Sequence, residues 1–189
     1  NRQGYPAPRA LASSALLASR LVTGDSAAPP YREALLLRAL VNHPWLIDDH
    51  AEAIADLPLA SAALSRLRDV ILSLHAIDNS LDTARLTSQL EKAGLAGQLR
   101  LVQRAITHKC DRFAEADAAN AEVEAGWRHA LALHDRQVGL KRALDAAERS
   151  WHENGSEEAL ARIYDLQQQL NGLNLHEADG PSGSGGELG

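Results

Sequence analysis

Residues 115–171 read EADAANAEVEAGWRHALALHDRQVGLKRALDAAERSWHENGSEEALARIYDLQQQLN, and this stretch decides the fold. Between 116 and 153 only Gly126 and Gly139 oppose a helix. Ala, Leu, Glu, Arg, Gln and Lys dominate, and these residues lose little side-chain freedom in a helix. The run breaks at Asn154-Gly155-Ser156. Gly155 suits the left-handed position just past a helix end, and Ser156 suits an N-cap. Glu157 and Glu158 then fall where the dipole of the next helix favours negative charge. The spacing predicts a long helix, a tight turn and a shorter helix returning along it to residue 171.

At 1.5 Å per residue the long helix spans roughly 57 Å, whereas a compact domain of ~150 residues is about 40 Å across, so part of the helix must project. Its apolar positions form two offset stripes. Val123, Trp127, Leu131 and Val138 make one, and Leu133, Leu140, Leu144, Ala147 and Trp151 the other, at spacings of three and four. The first stripe is expected to face a body and the second to face Leu160, Ile163, Leu166 and Leu170 of the return helix. Gly126 and Gly139 each cost about 1 kcal/mol relative to Ala, and both are the expected hinge positions. A bend there would let body and hairpin engage two sites at once, and would also permit hairpin exchange between copies. The expected state is a monomer with a weak or swapped dimer at high concentration. A hairpin on a stalk buries little by itself, which points to an outside partner.

Composition agrees with this class. Apolar residues make up 45 % of the 189, yet aromatics only 4 %, which suits helix-on-helix packing. The net charge of −6, with cations scattered among acids, provides no field for general nucleic-acid binding. A single Cys110 excludes an internal disulfide framework and a Cys-rich zinc site, and suits a reducing cytoplasm. No apolar run approaches the ~20 residues of a membrane span. Met is absent, so the sequence is expected to be part of a longer protein.

Taken in order, residues 1–8 carry Gly4, Pro6 and Pro8 and read as a linker from an upstream region. Six short helices are expected to form a compact bundle over 9–114. They run from 9 to 22, from 32 to 42, from 45 to 55, from 62 to 75 with Ser61 as cap, from Asp82 to Gly94, and from 95 to 106. The second is apolar on nearly every side, from Ala34 to Val41, and belongs in the core. The step Asn42-His43-Pro44 ends it, with Pro44 at the first turn of the next helix. Residues 172–189, rich in Gly, Ser and acids, read as a disordered tail.

This order of elements, with the segment Arg32-Glu33-Ala34-Leu35-Leu36-Leu37-Arg38-Ala39-Leu40-Val41-Asn42-His43-Pro44 and the return segment from Gly155 to Leu170, resembles the C-terminal helicase-binding domain of bacterial replicative DNA primase. The likeness covers about residues 10–172. It implies a non-catalytic module that docks on the N-terminal domains of the hexameric replicative helicase and brings primer synthesis to the fork. The family's attachment point maps onto Trp151, Glu158, Arg162, Tyr164, Asp165 and Gln168. The resemblance also implies that the acidic tail of the single-stranded DNA-binding protein is received by Arg32 and Arg38. The family's zinc ribbon and polymerase core are not represented, so no cofactor is expected.

Each feature has a plainer reading. Trp151 and Tyr164 either anchor a partner or close the hairpin on each other. Arg128, Arg142 and Arg149 either form a docking stripe or a solvated face with local pairs such as Asp145 with Arg149. Among the eight His, neither His108 with Cys110 nor His129 with His134 has metal-ligand spacing, since five residues on a helix separate side chains by about 140°. Two other functions fit an all-α chain. One is the helicase's own N-terminal domain, which should run on into a nucleotide-binding motor rather than a Gly-rich tail. The other is a histidine phosphotransfer domain using His134 or His75, although His134-Asp135-Arg136-Gln137 departs from that family's His-x-Leu-Lys-Gly context.

Overall fold

The computed structural model describes residues 30–105 and 109–179, and every regular element among them is helical. They are α1 (Tyr31–Asn42), α2 (Leu46–Ala55), α3 (Ala62–Ile77), α4 (Thr83–Lys92), α5 (Ala96–Gln103), a 3₁₀ helix (Lys109–Ala114), α6 (Asn120–Asn154) and α7 (Glu157–Asp179). The linker at 1–8, the helix expected at 9–22 and residues 180–189 of the expected tail lie outside the described residues.

The apolar segment is the central helix. α1 packs on α3, α4, α5, the 3₁₀ helix and α6, and Leu36, Leu37, Ala39 and Leu40 are fully buried. Each Leu so buried contributes about 2 kcal/mol of transfer free energy. Leu46, Ile54, Leu64, Leu67, Ile71, Leu86, Leu90 and Leu99 close around it from α2 to α5. Asp82 caps α4 as its position suggests, its carboxylate accepting the Arg85 N–H at 2.7 Å.

The Asn42-His43-Pro44 step does more than end a helix. Pro44 forces His43 out of the helical region, to φ −132° and ψ 69°. The freed polar groups then fasten the chain that leads to α6. The Asn42 amide donates to the Ala114 carbonyl at 2.7 Å, and His43 Nε2–H donates to the Glu115 carbonyl at 2.7 Å. Thr83 Oγ1–H donates to the Asn42 carbonyl at 2.8 Å, tying in α4. Burial holds His43 below its ordinary pKa of 6.5, against the opposing pull of its bond to the Glu115 carbonyl.

The two largest boundary differences from expectation lie in the long helix and the return helix. The long helix begins at Asn120 rather than 116, because the 3₁₀ helix and a following turn, Ala118 N–H to the Glu115 carbonyl, occupy residues 109–118. Its 35 residues still span about 52 Å. The return helix runs to Asp179, so residues 172–179 are helical and not part of a tail. Gly172 costs only about 1 kcal/mol in a helix interior, and burial of the next residue, Leu173, offsets it.

α6 carries two cores, as its offset stripes predict. Val123, Trp127 and Ala130 belong to the body core, with Leu131 packed against it. Ala147 joins Ile163 and Leu166 in a second, small core edged by Leu140, Ala143 and Leu144. The first third of α6 therefore belongs to the body by packing, and its last half belongs to the hairpin.

Candidate functional site

The hairpin turn follows its sequence. Gly155 adopts φ 58° and ψ 26°, a left-handed conformation that favours glycine, and its N–H donates to the Trp151 carbonyl at 2.8 Å. Ser156 Oγ accepts the Ala159 N–H at 3.2 Å and caps α7.

All six residues that the resemblance assigns to partner binding, Trp151, Glu158, Arg162, Tyr164, Asp165 and Gln168, are exposed. Trp151 is 39 % and Tyr164 64 % exposed. The Trp151 ring lies against the neighbouring His152, with ring centroids 5.2 Å apart, so exposure rather than mutual closure describes the tip. Leu160, expected inside the hairpin, is 37 % exposed instead. It sits one turn before Tyr164, and that four-residue spacing was the available signal that the two share a face.

The six residues do not form one surface. With about 100° per residue and a buried seam of Ala159, Ile163, Leu166 and Leu173, Leu160, Tyr164 and Gln168 fall on one side of α7. Glu158, Arg162 and Asp165 fall toward the other. Asp165 also accepts a hydrogen bond from the Gln169 amide at 3.0 Å, one turn along the helix.

The two hinge glycines differ. Both lie inside the single helix α6. A Cβ on Gly126 would overlap the ring of Phe113, so this glycine is required by close packing of the 3₁₀ helix on α6. A Cβ on Gly139 would meet nothing within 4 Å. Gly139 also follows closely on a fastening of α6 to the body. There Arg32 Nη1 donates to the Leu133 carbonyl at 3.1 Å and to Gln137 Oε1 at 3.2 Å.

That fastening corrects the role suggested for Arg32. Its side chain is buried, 5 % exposed, and committed to α6, which removes it from any surface that an acidic peptide touches. Arg38 is half-buried, with Nη1 donating to the Gln103 carbonyl at 2.8 Å, and burial lowers its pKa from the ordinary value. Beside Arg32, Glu33 is buried and accepts the Ala60 N–H at 3.0 Å. Burial raises its pKa above the usual carboxylate value, against the opposing pull of that bond, His134 and Lys141.

The remaining candidates for chemistry are structural. His134 is 2 % exposed and its Nε2–H donates to the Pro58 carbonyl at 2.8 Å, so it does not present the exposed ring that phosphotransfer needs. His75 pairs with Asp48 at 2.9 Å. His50, at a kink in α2, meets Glu124 at 2.9 Å and lies over Trp127 with centroids 4.7 Å apart. The free Cys110 is exposed, and its thiol is pushed up in pKa by partial desolvation and by Asp111, which disfavours the thiolate. Among the described residues, no three His, Cys, Asp or Glu side chains gather where a metal ion could be held. No described helix is long and apolar enough to cross a membrane. Comparison of the chain with protein-family models, curated proteins and solved structures returns no match.

Proposed function

We propose that this chain is the helicase-docking module of a bacterial DNA primase. It acts by binding rather than by bond-making, in the cytoplasm, with the N-terminal domains of the hexameric replicative helicase as its partner. One observation carries the reading. A single helix, α6, is shared between a well-buried body and a small projecting hairpin whose tip exposes Trp151 and Tyr164. Large aromatics held out on a stalk, away from the core that keeps the chain folded, are what a docking element requires. The order of short helices, long helix and return helix agrees with the resemblance in the sequence.

Body and hairpin would then reach two helicase subunits, with Gly139, which no neighbouring side chain crowds, as the point at which α6 adjusts. Linking two weak contacts in this way raises affinity through effective concentration. The test is calorimetry of the chain against the purified replicative helicase, beside a truncation ending at Asn154. Binding by the full chain and loss in the truncation is the expected pair of results. Equal binding by both would place the contact on the body, and binding by neither would remove the primase reading.

A further inference from the structure

The hairpin has two unlike flanks. Viewed along α6, the seam residues Leu140, Ala143 and Ala147 face α7, and Leu144 and Trp151 lie to one side of that seam. Because α7 runs antiparallel, its residues Leu160 and Tyr164 come to that same side, with Leu160 level with Trp151 near the tip. This flank therefore gathers the exposed large apolar groups of the hairpin, Trp151, Leu160 and Tyr164, beside half-buried Leu144. The charged side chains that border it nearest the tip, Glu148 and Glu157, are both acidic. The opposite flank carries Glu158, Arg162 and Asp165, mixed in sign and without a large apolar group.

A second copy of this chain is a poor occupant. The three exposed side chains offer on the order of 300 Å² of surface, given about 150–250 Å² for a whole aromatic, whereas a stable two-copy interface buries roughly 800 Å² on each partner. A two-fold arrangement would also bring Glu148 and Glu157 of both copies together around the contact. A strand is no better, because the described residues offer no sheet edge. Two antiparallel helices instead leave a shallow groove along their seam, and a third helix packs into it as in a bundle.

We infer that the Trp151–Leu160–Tyr164 flank of the hairpin takes an amphipathic helix of the partner, with two or three large apolar side chains in the groove and Lys or Arg facing Glu148 and Glu157. This rests on the docking function proposed above and names the face and the chemistry of what covers it. The apolar contact supplies the affinity. The acidic border steers a basic helix and makes association fall with ionic strength.

The full chain is titrated against two probes: purified hexameric replicative helicase, and a synthetic amphipathic helical peptide of Leu and Lys. Tyr164→Ser is expected to weaken both by about tenfold or more, the scale of an aromatic hot spot. Glu148→Lys with Glu157→Lys is expected to weaken both and to flatten the salt dependence. Glu158→Lys with Asp165→Lys, on the opposite flank, should change either by less than about threefold. These side chains are exposed, and an unchanged thermal melt confirms that each variant is folded. If the opposite-flank pair abolishes helicase binding while Tyr164→Ser leaves it intact, the face is wrong although helicase docking stands. If the helicase does not bind but the peptide does, with the same dependence on Tyr164, the flank keeps its assignment and the primase reading fails. Binding of neither probe overturns the inference.

Discussion

Gly126 of α6 lies so close to Phe113 of the 3₁₀ helix that a methyl group on its α-carbon would overlap the phenyl ring. The contact joins the start of the long helix to the segment that delivers it, inside the core that contains Trp127. Gly126→Ala should destabilise the protein by about 2 kcal/mol, because the gain in helix propensity is outweighed by overpacking against the buried Phe113 ring. Gly139→Ala has the opposite sign. With nothing within 4 Å, it should stabilise by roughly 0.5–1 kcal/mol. Denaturant unfolding of the two variants reads both, and a matching sign would contradict this account of the two glycines.

His43 makes stability depend on pH. Burial lowers its pKa in the folded state below the ordinary 6.5, so the unfolded chain takes up a proton first as pH falls. The stability that neutral His43 contributes is present above about pH 6.5 and is lost as pH falls through the window down to the folded value. His43→Gln keeps a donor for the Glu115 carbonyl without titrating. Its unfolding midpoint should vary less than that of the parent between pH 7 and 5, and parallel curves would exclude His43 as the source.

How much of this was legible in the sequence depended on whether the cause was local. The turn at Gly155-Ser156 and the cap at Asp82 follow from residues within one turn of the helix end, and both stand where the sequence places them. The two stripes on α6 were also legible, since burial on different partners imposes its own phase on a helix. The role of Gly126 was not, because Phe113 is thirteen residues away and across a chain reversal. The exposure of Trp151 and Tyr164 was equally hidden: periodicity says that an aromatic lies near a seam but not whether the seam covers it. The resemblance assigned Arg32 to an acidic partner, yet the long helix lies over it, and no pattern within α1 records that contact.

Glu33 offers a second pH effect with the reverse sign. Burial raises its folded pKa above 4.5, so the folded chain holds the proton more tightly than the unfolded one. Stability from this site is present below the unfolded value and declines as pH rises through the folded one. Glu33→Gln retains an oxygen to accept the Ala60 N–H and removes a buried charge. At pH 7 the variant should be at least as stable as the parent, with a flatter profile above pH 4.5. A loss of more than about 1 kcal/mol would mean that the ion's attraction to His134 and Lys141 exceeds its desolvation cost.

The unequal cores predict that the hairpin opens without the body. Ile163 and Leu166 meet Ala147 and a few partly buried neighbours, whereas Trp127 is enclosed by residues from the 3₁₀ helix, α1 and α2. Leu166→Ala removes a buried side chain, a change worth about 2–4 kcal/mol in a well-packed site. In so small a core that loss should exceed what holds α7 to α6, so α7 separates while α1 keeps its contacts. Native-state hydrogen exchange should then show faster exchange at amides of residues 140–173 and unchanged protection of Leu36–Leu40. Trp127→Ala should instead speed exchange in both regions, since the body core that anchors α6 is weakened. Equal acceleration in α1 from Leu166→Ala would show that the two cores unfold as one unit, and the hairpin could not then adjust on its own when it docks.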